Sequence, residues 1–168
     1  MKALHPRPLT AENFARFGDV IEARGLARAI NQGYALRFDD LAALDLEAEG
    51  GRASISIFRS TPPVYPFAIH MMERHPLSSQ AFVPLSGRAF LVVAAPAGAF
   101  DVNAIEAFVA APSQGVNFHK GVWHHFNLAL GAQSAFLVID RAGPGANLEE
   151  AMLSEPVLLH APAMEPGP

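Results

Sequence analysis

No cysteine occurs in the chain. Disulfides and thiolate ligands are therefore excluded, and any bound metal must be held by histidine, carboxylate or amide side chains. Basic residues are few and scattered singly: twelve Lys and Arg stand against sixteen Asp and Glu, a formal charge of -4. With no basic stripe to follow a phosphate backbone, nucleic acid is not an expected partner. Long apolar runs are also missing, since the greasiest stretch, Ala89 to Phe100, is broken by Pro96 and Gly98. The opening MKALHPRPLTAENF has no apolar segment ahead of a small-residue cleavage site. Neither membrane spanning nor export is expected, and a cytoplasmic location is.

What the chain does have is apolar content, 51% over 168 residues, enough for one domain, 1-168, with a sizeable core. It shows no internal repeat and no linker. Thr10 ahead of AENFARF reads as the cap of a short helix ended by Gly18. Asp39 to Glu49 reads as a second short helix, with Leu41, Leu44 and Leu46 facing inward. Almost everything else favours strands. Ala53 to Arg59 alternates small polar with apolar residues, the pattern of a half-buried strand whose Ile55 and Ile57 share a face. Further strands are expected at Tyr34 to Phe38, Phe67 to Met72, Gln80 to Val83, Ala89 to Ala94 and Ile105 to Val109. Gly115 to Phe118, Phe126 to Leu130, Ala135 to Asp140 and Val157 to His160 complete the set. TPP, APAG, APSQG and AGPG punctuate them. About ten short strands between such turns predict a mainly β fold, a barrel or jelly roll with a few short helices. The tail APAMEPGP reads as a frayed end.

Two polar clusters interrupt this apolar pattern. In ERHPLSSQAFVPLSG, Glu73 and His75 are two apart and project from one strand face, and Gln80 begins the next apolar run. In GVNFHKGVWHH, one amide, Asn117, and three imidazoles, His119, His124 and His125, accompany the only Trp. Adjacent His124 and His125 face opposite ways on a strand, so only one can enter a shared site. The spacing of both clusters matches the two cupin motifs with altered residues. Glu73, any, His75, four residues, Gln80, six residues, Gly87 occupies the pattern His-any-His, Glu, Gly. His119, any, Gly121, two residues, His124 occupies Pro-any-Gly, His.

With QGVNFHKGVWHH and FLVIDR, and with INQG at Ile30 to Gly33, RFDDLA at Arg37 to Ala42 and SIFR at Ser56 to Arg59, the chain resembles the ureidoglycolate lyase family, once described as ureidoglycolate hydrolases. The family continues after WHH with Pro and Leu, where this chain has Phe126 and Asn127. The resemblance implies a cupin-type β-barrel, a homodimer, and a carbon-nitrogen lyase of the amidine-lyase type. Such an enzyme cleaves (S)-ureidoglycolate to glyoxylate and urea during allantoin and purine breakdown.

That reaction needs a base for the hydroxyl proton and a donor for departing urea. His75, Gln80 and His124 form the expected inner set, with Glu73 either a fourth metal ligand or the base. A divalent ion, Ni, Mn, Zn or Mg, held by His75, Gln80, His124 and Glu73 would polarise the hydroxyl; no organic cofactor is expected. For the substrate carboxylate the candidates are Arg59 first, then Lys120 and Arg37, and Asn117 and His119 for the ureido group. Plainer readings stand beside these. Glu73 and His75 could form only a surface ion pair, and Trp123 a core or dimer-interface anchor. Arg141 pairs with Asp140 or another acid in this reading, His70 is an interior histidine, and His5 and His160 have no role. Gly87, Gly115 and Gly121 mark turns that demand positive φ. Two alternatives to the lyase are a cupin enzyme acting on another small hydroxy or keto acid, and a non-catalytic cupin that binds a small carboxylate.

Overall fold

The computed structural model describes residues 2–162. Thr10 caps the first helix as its position predicts: its hydroxyl accepts from the Asn13 amide while the Asn13 side chain accepts from the Thr10 amide. The helix α1 (Ala11–Phe14) is shorter than expected, and Gly18 already begins a strand.

The larger sheet runs β1 (Ala3–Leu4), β15 (Glu149–Leu159), β7 (Phe67–Arg74), β12 (Trp123–His124), β9 (Phe90–Ala95), β10 (Glu106–Ala110), β2 (Arg7–Pro8). A further strand, β13 (Leu128–Ala129), also pairs with β9. The second sheet runs β3 (Gly18–Ile21), β11 (Gly115–Phe118), β8 (Gln80–Pro84), β14 (Ser134–Ala142), β6 (Arg52–Ser60). A separate hairpin pairs β4 (Arg28–Ile30) with β5 (Ala35–Arg37). The expected cupin-type β-barrel with a few short helices is what the chain forms.

Two apolar cores result, because strand alternation sends neighbouring side chains of β9 to opposite faces. Phe90, Val92 and Ala94 join Phe82, Val116, Phe136 and Val138 between the sheets. Leu91, Val93 and Ala95 meet Ile69, Met72, Trp123 and Leu159 on the other face. Phe14, Phe17 and Phe108, all fully buried, close one end of the first core with ring centroids 5.6 to 5.7 Å apart. Burial of each ring contributes about 2–3 kcal/mol. Gly115 is needed for space, not for positive φ: a Cβ there would lie 2.7 Å from the Phe82 carbonyl oxygen. Gly87 and Gly121 do adopt positive φ, at 61° and 78°.

Several expectations change. Residues 39–47 are not helical; the Ala43 amide donates to Asp19 and the Asp45 amide to the Ser79 hydroxyl, holding the segment extended. Leu46 is buried, but Leu44 is 47% exposed. On β6, Ile55 and Ile57 do share a face, but it is the outer one, 70% and 54% exposed. Period-two alternation names a face without saying which one is inside. Among the described residues Arg141 pairs with no acid; its guanidinium donates to the carbonyls of Ala48, Glu49 and Pro144, which fixes the turn at Ala48–Gly50. His70 is exposed, where β15 departs from regular register with β7 between Met152 and Val157. His5 and His160 stack, with centroids 4.5 Å apart. Of the tail, residues 163–168 lie outside the described residues.

Candidate active site

Strand pairing assembles the polar group between the sheets. β12 lies against β7 in a register that sets His124 opposite Glu73, and the next turn brings His75 back so that its ring centroid is 5.2 Å from that of His124. The His75 carbonyl accepts from the Gly121 amide, tying this turn to the loop that leads into β12. His124 is 1% exposed and stacks on Phe118 at 4.3 Å and 11°. Gln80, the first residue of β8, places its amide oxygen 3.1 Å from His75 Nε2.

The two imidazoles are oriented alike. His75 Nδ1 lies 2.7 Å from the Asn147 carbonyl oxygen and His124 Nδ1 lies 3.2 Å from that of His125. A carbonyl oxygen only accepts, so Nδ1 donates in both rings; in neutral His124 this leaves the lone pair on Nε2, whereas His75 Nε2 faces the Gln80 amide oxygen, which is likewise only an acceptor. Among the described residues, Nε2 of His124 is buried without a hydrogen-bond partner. Burial pulls the pKa of His124 down to about 3, and neighbouring His75 adds to the effect. Burial raises that of Glu73; Glu150 pushes the same way and His75 opposes it. Glu73, His75 and His124 each offer a ligand atom, all within 4.8 Å of one another. An unpartnered, buried imidazole nitrogen beside a second imidazole and a carboxylate is a donor set that suits a divalent transition metal. The backbone carbonyls behind the rings supply the outer support that such ligands require.

The remaining candidates lie elsewhere. Arg59 falls, by alternation, on the outer face of β6 with Ile55 and Ile57. Arg37 ion-pairs with Asp39 at 2.5 Å beside the separate hairpin. Asn117 is fully buried on the outer face of β11, where its amide donates to Asp19 and to the Ala43 carbonyl, clamping residues 39–47 to the sheet. His119 meets Asp19 at 3.1 Å and Lys120 meets Asp45 at 2.6 Å. Burial works against the charge of Asp19, but the donations from Asn117, Ala43 and His119 outweigh it and hold its carboxyl below the usual range. None of these five joins the Glu73, His75, His124 group.

Asp140 was missed. It follows Phe136 and Val138 on the inner face of β14, hydrogen-bonds the Gln80 amide, and has its pKa raised by burial, with Gln80 and His75 opposing. A carboxylate in phase with two buried apolar residues was the available signal. His125, beyond the end of β12, packs its ring against Phe67 and Phe126 and stays out of the cluster.

A family model described as ureidoglycolate lyase matches residues 1–160. The chain is 52% identical over 160 residues to a ureidoglycolate lyase of Burkholderia mallei (strain NCTC 10229), covering 95% of this chain and 94% of that protein. It is 48% identical over 158 residues to one of Rhizobium etli (strain CIAT 652), with 94% and 95% covered. The match to one of Agrobacterium fabrum (strain C58 / ATCC 33970) is also 48%, over 162 residues, with 96% and 98% covered. The chain belongs to the ureidoglycolate lyase family. Its departure from the pattern after WHH falls on the barrel wall. Phe126 packs against His125, and the Ser60 hydroxyl donates to the Asn127 side-chain oxygen. This member of the ureidoglycolate lyase family thus ties β6 to the segment between β12 and β13 by a side-chain hydrogen bond.

Proposed function

We propose that this protein is a ureidoglycolate lyase that cleaves (S)-ureidoglycolate to glyoxylate and urea, with Glu73, His75, Gln80 and His124 as the reacting group. The observation that carries the reading is the convergence of Glu73, His75 and His124 inside the barrel of a chain about half identical to proteins of that name. In the reaction the hydroxyl proton leaves, its O–H electron pair forms the aldehyde carbonyl, and the C–N pair departs on the urea nitrogen, which gains a proton. Glu73 is the acceptor for the hydroxyl proton, since burial raises its proton affinity. His75 and His124 flank Glu73 and hold the substrate in place, His124 through its unpartnered Nε2, while Phe118 and the core around it keep water from His124.

A divalent ion, Ni, Mn, Zn or Mg, would be held by Glu73, His75 and His124, with Gln80 as a further oxygen donor, and would supply Lewis-acid polarisation of the hydroxyl. The two imidazoles favour Ni or Zn over Mg. Asn117, His119 and Lys120 support the site from outside by fixing residues 39–47 beside the loop that binds the His75 carbonyl.

The same reading makes the protein a homodimer, a single domain over 1-168, cytoplasmic, and active in purine breakdown. The dimer is supported by the exposed apolar face of β6 and by a hairpin with Tyr34 91% and Leu36 66% exposed. Arg37 and Arg59 then belong to covered surface and not to the pocket.

The test incubates the protein with (S)-ureidoglycolate and follows glyoxylate, before and after chelation and with metal restored, alongside the metal content of the purified protein. Glyoxylate forming no faster than the spontaneous rate in every condition would sink the reading.

A further inference from the structure

The β6 strand is polar toward the cavity and apolar toward the outside. Ser54, Ser56 and Ser60 share the inner face with Phe58, whose ring meets Phe82 in the first core, while Ile55 and Ile57 face outward. The strand thus turns its hydroxyls to the inner face and its isoleucines to the outer one. Ser60 is engaged with Asn127. Among the described residues, Ser54 and Ser56 donate no side-chain hydrogen bond.

Opposite Ser54 in the ladder stands Asp140. Across an antiparallel pair such residues have Cβ atoms about 5 Å apart, so hydroxyl and carboxylate form one polar patch on the inner face of the sheet. Gln80 links this patch to His75. The patch therefore meets the reacting group through Gln80; it lies on the five-stranded sheet, and Glu73 and His124 lie on the larger one.

We propose that Asp140 and Ser54 form the subsite for the ureido end of the substrate, an inference that rests on the lyase reading above. A ureide carries two N–H groups pointing the same way, one on each nitrogen, and one carbonyl oxygen. A carboxylate accepts two parallel N–H bonds as it does from a guanidinium fork, and the neighbouring Ser54 hydroxyl oxygen accepts the remaining N–H of the terminal amide. Only the ureide end offers N–H donors to Asp140, which gives one orientation: ureide on β14 and β6, hydroxy acid toward Glu73, His75 and His124. Without the partner N–H groups the Asp140 oxygens are left short of donors, so an analogue lacking the ureide is disfavoured.

The experiment measures steady-state kinetics of the metal-replete enzyme, with urea and glycolate as inhibitors that carry the two halves of the substrate. Asp140→Asn is expected to raise KM and the urea inhibition constant about tenfold, with kcat much less affected and the glycolate constant within about twofold. Ser54→Ala, which removes a hydroxyl with no protein partner, is expected to shift the same two constants about threefold and serves alone if Asp140→Asn fails to fold. If Asp140 merely holds Gln80, urea and glycolate constants shift together, and the proposal is overturned. Unchanged urea constants in the folded variants overturn it equally. A wild-type enzyme that forms no glyoxylate refutes the lyase reading instead, so the two failures are distinct.

Discussion

His125 should make this protein acid-labile in a way one substitution can isolate. The ring is 4% exposed, and burial lowers its pKa from 6.5 to about 4, only partly offset by its hydrogen bond to the Phe126 carbonyl. Above the unfolded value of 6.5 both states are neutral and the full stability is present. Below it the unfolded chain takes a proton that the folded chain refuses, so stability falls as pH falls, at about 1.4 kcal/mol per unit, until the folded value is reached. Over the whole window His125 costs roughly 3 kcal/mol, a large part of an ordinary domain's stability. His124 acts in the same direction toward about 3. Raised Glu73 and Asp140 act in the opposite direction, but they are shared by wild type and variant and drop out of the difference. In His125→Asn the side-chain amide still donates to Phe126 while the titration is gone. Urea unfolding of chelated protein, followed by fluorescence of the single buried Trp123, gives stability against pH. Between about pH 6.5 and pH 5 the wild type should lose about 2 kcal/mol more than the variant. Parallel curves would refute the reasoning, whatever packing cost the substitution carries.

Glu73→Gln and His124→Ala should each lower kcat by about a hundredfold or more while the folded fluorescence signal is kept; near wild-type turnover in both would misplace the site. Ile57→Lys puts a charge on the exposed face of β6 and should halve the mass found by light scattering, which an unchanged mass contradicts. Asn117→Ala removes both clamping hydrogen bonds and should cost about 1–3 kcal/mol in urea unfolding, with kcat altered only a few-fold. A large loss of kcat at unchanged stability would instead give Asn117 a direct part in the reaction.

Spacing along the chain made the inner set legible: Glu73, His75, Gln80 and His124 come together because β7, β8 and β12 are strands whose register follows from alternation. The outer positions were not legible for the same reason. Alternation says that Asn117 and Phe118 part company, but only the assembled sheets show that Phe118 meets His124 and Asn117 meets Asp19. In SISIFR alternation put both isoleucines on one face, and only the assembled sheets show that this face is the exposed one. The leucines of residues 39–47 fit a helical period, yet bonds from distant Asp19 and Ser79 decided their path. Asp140 was paired in sequence with its neighbour Arg141, although adjacent strand residues cannot share a face.

The two-residue strand β12 carries indole and imidazole side by side, Trp123 into one core and His124 into the other, with the Trp123 Nε1 donating to the Gly98 carbonyl. A slip of one position would exchange them, setting beside Glu73 and His75 an indole that has no lone pair to offer. Such a mis-threaded molecule would be inert, not slow. Specific activity in a preparation would then count correctly phased molecules, and heterogeneity would show as a deficit of active sites at unchanged turnover per site.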